Sequence, residues 1–385
     1  MIVEAAKRLD SVREYYFSTK LAEIRAMNAN GADVINLGIG NPDLLPPDPV
    51  VNALKTHLEE PDVHGYQSYK GIPELRDAIS KWMKKVYDIK SDPEKEVLPL
   101  IGSKEGIFHI SMAFLNPGDA VLVPNPGYPT YGSVSELIGA QVFHYNLDSS
   151  QNWNINFESL EQLPLDKIKL MWLNSPHMPT GTEYHREDVV RLIELAQKHR
   201  FLIVNDNPYS FILNDSPQSL LSIESAPEVL LELNSLSKSH HMPGWRIGWL
   251  TGSEAYINTV LKVKSNIDSG MFKATQLAAV QALQTESDWH KDQNEVYKKR
   301  RSLVWGLLEN LGCSFSHDQN GMFVWARIPE SEKDSISFSE YLLQEAKVFT
   351  PPGDIFGSAG KGFLRLSLCV PEERIMEARE RIEGI

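Results

Sequence analysis

The loop SLSKSHHMPGWRIG, residues 235–248, brings a lysine, two serines and an arginine together. Lys238 can condense with an aldehyde to form a Schiff base. Ser235 and Ser237 can donate to a phosphate, and Arg246, eight residues beyond the lysine, can grip the same phosphate through its fork of donors. An aldehyde and a phosphate on one small molecule describe pyridoxal 5'-phosphate. Taken alone, the loop reads equally well as a solvated lysine in a serine-rich turn with an arginine paired to a carboxylate. The rest of the chain has to decide.

In open parallel sheets ligands sit at the carboxyl ends of the strands, so polar residues directly after short apolar runs form the natural set to inspect. Asn174 and the Pro-Thr-Gly turn at 179–181 follow the run 168–173; Asp206 and, three residues on, Tyr209 follow the run from 201. Gly102, Ser103 and Lys104 follow Leu100 and Ile101 and open a helix; Tyr128, in PNPGYPTY, follows the run 121–123. Each has an ordinary reading, as a helix cap, a turn former or half-buried packing. Their joint arrival at one sheet edge is what distinguishes them. A carboxylate for a ring nitrogen, an aromatic to stack on a ring, a helix start for a phosphate and a lysine for an aldehyde are the needs of pyridoxal phosphate.

Two other readings fail. LGIGNPD supplies Gly38 and Gly40 but then Pro42 in place of a third glycine opening a helix, so a dinucleotide fingerprint is not met. No metal is expected, because His240 and His241 are adjacent, which turns their rings apart, and no His or Cys at ligand spacing joins them.

The elements that must carry these residues are legible as alternating short apolar runs and amphipathic stretches from about residue 49 to 280, the pattern of an α/β fold with a mainly parallel sheet. Strands are expected at 120–123, 168–173, 201–204, 229–233 and 247–250, and helices at 72–87 and 185–199. Beyond Thr275 the texture changes to a charged helical stretch over 285–311, then strand-like runs at 322–328, 348–349 and 363–368 and a terminal amphipathic helix. The expected division is 1–47 as an N-terminal arm with part of a small domain, 48–284 as the large cofactor-binding domain, and 285–385 as a C-terminal small α+β domain.

The 385 residues hold 51 acidic against 38 basic side chains, a formal charge of -13, which opposes a sequence-independent grip on nucleic acid or anionic membrane. The N-terminus carries acids among its bases and resembles no targeting signal, and no apolar run is long enough to span a bilayer. Cys313 and Cys369 are far apart and outside any metal or redox spacing, so a cytoplasmic protein with reduced thiols is expected.

Taken in order, these segments resemble the class I and II aminotransferases of pyridoxal-phosphate fold type I, over nearly the whole chain; GSKEG at 102–106 and NIDSGMF at 266–272 are most similar to the aspartate, alanine and diaminopimelate branch. The resemblance implies that Lys238 carries the Schiff base and moves the proton, that Arg246 holds the phosphate with Gly102, Ser103 and Lys104, and that Tyr128 stacks on the ring. Asp206 would partner the ring nitrogen and Tyr209 the ring hydroxyl, and Asn174 would belong to the cofactor-binding set. Tyr69 in SYKG resembles a tyrosine that reaches the phosphate of the neighbouring subunit, which implies a homodimer with shared sites. Arg365 in FLRLSL resembles the arginine that clamps the substrate's α-carboxylate, with Gly40 beside it.

The chain departs from that pattern twice. Met178 stands before Pro-Thr-Gly where the family has Asn, and a thioether cannot donate a hydrogen bond. His241 stands where the family has a small residue. The implied activity is ping-pong transfer of an amino group from an L-amino acid to a 2-oxo acid. A carbon-sulfur β-lyase or another reaction of the same cofactor would keep Lys238, Asp206 and Arg246, and a non-catalytic cofactor-binding regulator is the remaining alternative.

Overall fold

Successive side chains of a strand point to opposite faces, so a strand covered on both sides must be apolar at every position. The run 170–173 obeys this rule. Leu170 and Trp172 enter one hydrophobic core, while Met171 and Leu173 enter the other. The computed structural model describes residues 2–10, 12 and 14–385. In it the strands, in chain order, are β1 (Ile35–Asn36), β2 (Val97–Leu100), β3 (Ala120–Asn125), β4 (Gln141–Asp148), β5 (Asn154–Ile155), β6 (Ile168–Asn174), β7 (Leu202–Asn207), β8 (Leu230–Ser235), β9 (Gly248–Thr251), β10 (Ser314–Phe315), β11 (Phe323–Arg327), β12 (Val348–Phe349) and β13 (Phe363–Ser367).

Strands β2 to β9 form one eight-stranded sheet in the order β2-β9-β8-β7-β6-β3-β4-β5. The pairs β3/β4, β3/β6, β6/β7 and β7/β8 are parallel, and β9 runs against both of its neighbours. The strand order reverses between β3 and β6, the kind of switch point at which α/β sheets open a crevice for ligands.

Helices cover the sheet with the faces their sequences prescribe. Pro73–Tyr87 starts on a proline, whose fixed φ and missing N–H suit the first helical turn, and buries Leu75, Ile79, Trp82 and Met83 on one side. Each such side chain contributes about 1.5–3 kcal/mol of burial, so Ile79→Asp would undo the docking of this helix. Arg186–His199 buries Val189, Leu192, Ile193 and Ala196 and ends where Arg200 takes a left-handed conformation.

Three expectations needed correction. The strands expected to stop at 173, 204 and 233 continue through Asn174, Asn207 and Ser235, because parallel pairing with register partners such as Asn174 and Asp206 carries the ladder through the polar residues. The strand expected at 247–250 is β9, one residue later and antiparallel. The short run 348–349 does not join the small sheet β10-β11-β13; it pairs in parallel with β1, which draws the chain on either side of residue 36 towards the C-terminal part of the protein. Strand β4, with four exposed or half-exposed positions at its start, gave no apolar run to detect. Among the described residues no helix is long and apolar enough to cross a membrane.

Candidate active site

The ends of β6, β7 and β8, the turn after β2 and the loop after β3 converge on a cavity of about 390 Å³. Ser103, Lys104, Tyr128, Asn174, Asp206, Tyr209, Ser235, Ser237, Lys238, Arg246, Gly40 and Arg365 all line it. Gly102 stands directly behind Arg246. Tyr69 does not line the cavity and is 45% exposed.

The turn after β2 is built for close approach. Gly102 has φ +81°, and a Cβ there would lie 2.0 Å from Arg246 Nη2, so only glycine leaves room for the guanidinium. The helix Ser103–Phe114 starts at this point, and Glu105 reaches back to accept from the Ile101 N–H at 2.6 Å. Its first amides and Arg246 thus stand side by side, the arrangement that binds a phosphate. Arg246 is itself positioned by donating to Pro243 O at 2.8 Å.

Asp206 is buried, and burial pushes its carboxyl up to about 6, with the Tyr131 hydroxyl pulling the other way. Oδ2 accepts from Tyr131 at 2.8 Å, whereas Oδ1 has no hydrogen-bond partner among the described residues. A buried acceptor left alone costs about 1–3 kcal/mol, so this oxygen calls for a donor. A protonated ring nitrogen is such a donor. Asn174 is committed to the backbone, donating to Asp206 O at 2.6 Å and accepting from the Met178 N–H at 2.7 Å.

Lys238 sits just past β8 and donates to the Gly40 carbonyl. Burial, reinforced by the nearby Arg365 and Arg246 charges, lowers its pKa, which favours the free amine that attacks an aldehyde. Gly40 has no room for a side chain, since a Cβ would meet the Phe323 ring at 2.3 Å.

Arg365, on β13, is 4% exposed and boxed by aromatic rings, 4.0 Å from the centroid of Phe323, 4.6 Å from Phe356 and 5.4 Å from Phe17. Burial brings its pKa down to about 10, so it stays charged at neutral pH. Nη2 donates to Gly38 O at 2.6 Å, and Nη1 lies 3.1 Å from Met178 Sδ. The Met178 sulfur therefore rests against the arginine, on the side of the cavity where the family pattern has an amide. His241 turns away: Nδ1 contacts Leu45 O and Nε2 contacts Tyr297 OH, each at 3.3 Å.

Sequence reasoning missed Tyr131, Tyr15 and Phe17, which also line the cavity. Tyr131 had a signal, since it lies one helical turn beyond Tyr128, on the same face of Pro129–Ile138. Tyr15 and Phe17 lie far from the other site residues in sequence and follow no motif. One ligand-type group stands elsewhere: Glu105, His109 and Asp268 bring ligand atoms within 4.8 Å of one another, but the Lys264 ammonium already sits 2.8 Å from Asp268.

The free Asp206 oxygen, the Gly102 turn and the Lys238 amine fit pyridoxal phosphate. The comparisons with known proteins agree. The family described as aminotransferase class I and II matches residues 32–382. The chain is 39% identical over 99% of both chains to an LL-diaminopimelate aminotransferase of Dehalococcoides mccartyi, and 37% identical over 99% of both to one of Aquifex aeolicus. Substrate-bound BacF of Bacillus subtilis superimposes with a TM-score of 0.94 at 34% identity, covering 99% of this chain and 98% of that one. The aspartate aminotransferase of Thermotoga maritima does so with a TM-score of 0.91 at 32% identity, covering 99% of both. The chain belongs to the aminotransferase class I and II family and is a pyridoxal-phosphate-dependent aminotransferase.

Proposed function

We propose that this enzyme moves the amino group of an L-amino acid to a 2-oxo acid in two half-reactions at the cavity around Lys238, and that each lining residue has one task there. The observation that carries the reading is the convergence of the Lys238 amine, the unpartnered Asp206 Oδ1 and Arg365 on one cavity. When bound, the cofactor supplies an aldehyde that condenses with amines and a ring that absorbs the electrons released at the substrate's α-carbon.

The chain does the rest. Arg365 takes the substrate carboxylate through its fork, displacing Gly38 O and the Met178 sulfur, and so orients the Cα–H bond towards Lys238. The lysine amine, whose hold on a proton burial weakens, would take the proton from Cα and return it to the former aldehyde carbon on the other side of the shared nitrogen. Asp206 holds a proton on the ring nitrogen through charge, in a buried setting where that pairing is strong. Arg246, Ser235, Ser237 and the amides at Ser103 and Lys104 hold the phosphate. Tyr128 covers the ring face, Tyr209 meets the ring hydroxyl, and Asn174 fixes the backbone of Asp206 and Met178. Gly40 lines the substrate side of the cavity and leaves the Phe323 ring its place there.

Tyr69 lies outside the cavity and is solvent-exposed, as a residue serving the phosphate of a second copy would be. We therefore take the working form to be a homodimer with shared sites. The buried, unpaired Cys313 and Cys369 support a cytoplasmic setting. The names of the relatives make LL-diaminopimelate the first donor to test. Mixing the purified enzyme with a donor should shift its visible absorbance to the amine form of the cofactor, and a 2-oxo acid should shift it back. Release of ammonia without that return would identify a lyase instead.

A further inference from the structure

The two oxygens of Asp206 stand in different circumstances, and one residue makes the difference. Tyr131 donates to Oδ2 at 2.8 Å and leaves Oδ1 without a partner among the described residues. The phenol is fixed on three sides. Its ring lies parallel to Trp172 at 4.9 Å and 5°, meets Tyr128 edge-on at 5.4 Å and 86°, and is fully buried. The backbone of Asp206 is pinned as well, its carbonyl accepting from Asn174 Nδ2. A carboxylate with its backbone tied and one oxygen held has little freedom left to rotate.

We propose that Tyr131 is a positioning residue for the ring nitrogen of pyridoxal phosphate: by holding Oδ2 it commits Oδ1 to that nitrogen, and through its edge contact it keeps the stacking ring of Tyr128 in register with the carboxylate. The inference rests on the reading that this cavity holds the cofactor with Asp206 at the nitrogen. The hydroxyl also favours the ionised carboxylate against the burial that opposes it. The titratable groups around Asp206 are Tyr128, Tyr131 and Tyr209, and burial raises the pKa of all three phenols, so none brings a competing charge. Tyr131 acts through Asp206 and Tyr128; no step of the transfer requires its own proton.

The test compares two ligands that differ at one ring atom. Apoenzyme is titrated with pyridoxal phosphate and with its 1-deaza analogue, in which C–H replaces the ring nitrogen, and dissociation constants are read from fluorescence. The native protein should prefer pyridoxal phosphate, and Tyr131→Phe should lower that preference by about tenfold or more, the scale of one hydrogen bond to a charged group. Asp206→Asn should lose the same preference, and adding Tyr131→Phe to it should change the ratio no further. Equal weakening of both ligands by Tyr131→Phe would show a merely structural tyrosine and overturn the proposal. Should that variant fail to fold by circular dichroism, 3-fluorotyrosine at position 131 keeps the shape with a more acidic hydroxyl. It should raise the preference, and an unchanged ratio overturns the idea. If the native protein forms no adduct that borohydride can trap on Lys238, the cofactor reading itself falls, and this inference with it.

Discussion

Arg300 holds Asp43 through both of its terminal nitrogens, at 2.6 and 2.9 Å, and donates to Leu368 O at 3.1 Å. The pair ties the strap at 37–43, which carries Gly38 and Gly40, to the helix Ser287–Asn310 and to the chain just beyond β13. Arg300 is 4% exposed, so removing its partner strands a charge in a poorly solvated place. Asp43→Ala should therefore destabilise the protein by about 3 kcal/mol, measured by denaturant unfolding. A loss below about 0.5 kcal/mol would mean that the pair behaves like a surface ion pair.

Lys238→Ala removes the amine proposed to bind the aldehyde and to move the proton. Reductive trapping with borohydride followed by peptide mass analysis should locate the adduct on Lys238 in the native enzyme and find none in the variant, and turnover should drop by at least about 10³-fold. An adduct of equal yield at another lysine in the native enzyme would contradict the assignment.

Gly102→Ala places a methyl group where the Arg246 guanidinium lies and asks alanine to hold φ +81°. The variant should bind pyridoxal phosphate at least about tenfold more weakly. Affinity for pyridoxal, which lacks the phosphate, should be nearly unchanged. Equal losses for both would move the cause from the phosphate grip to general distortion.

Asp206 supplies a pH-dependent term in the stability of the apoenzyme. Its folded pKa, pushed up by burial to about 6, lies above the ordinary value of 3.8, so folding favours the protonated form. That contribution is fully present below the unfolded value and is lost as pH rises through about 6. Above that pH the buried carboxylate is a burden on the order of 3 kcal/mol. Asp206→Asn apoenzyme should accordingly be more stable than the native apoenzyme at pH 8, with the gap closing at pH values below the unfolded carboxyl pKa. Unfolding curves that stay superimposed across this range would show that the carboxylate carries no such penalty.

Met178→Asn replaces a sulfur that rests on Arg365 by an amide able to donate. The new donor should stabilise the deprotonated Schiff base and lower its pKa, read by spectral titration of the cofactor-loaded enzyme. No change, or a rise, would count against it.

What could be read from the sequence follows a physical division. That Lys238, Asp206 and Tyr128 line one cavity was legible because each follows a short apolar run at a strand's carboxyl end, where local order already implies spatial convergence; Arg246, just before β9, was legible from its spacing to Lys238. The buried strands were legible for the same reason, their ends less so, since pairing partners rather than local composition decide where β6, β7 and β8 stop. Residues assembled by tertiary packing left no such trace. The Phe17, Phe323 and Phe356 box around Arg365 draws on three distant segments, and the Arg300–Asp43 pair spans 257 positions. The pairing of β12 with β1, rather than with the small sheet, joins segments more than 300 residues apart, and two-residue strands carry almost no periodicity.

The strap that Arg300 anchors is also tied by the Gly38 carbonyl on Arg365 and the Gly40 carbonyl on Lys238, while the Ile39 carbonyl between them accepts from the Ser367 hydroxyl at 2.9 Å. A carboxylate arriving at Arg365 competes for the first, and an aldehyde arriving at Lys238 takes the donor from the second. Each arrival would free one carbonyl of the same short length of backbone while Ser367 and Asp43 keep it moored. If Arg365 takes the carboxylate and Lys238 the aldehyde, occupancy of the cavity should show in the mobility of Gly38 and Gly40, and amide hydrogen exchange along that peptide would gauge which ligand has entered.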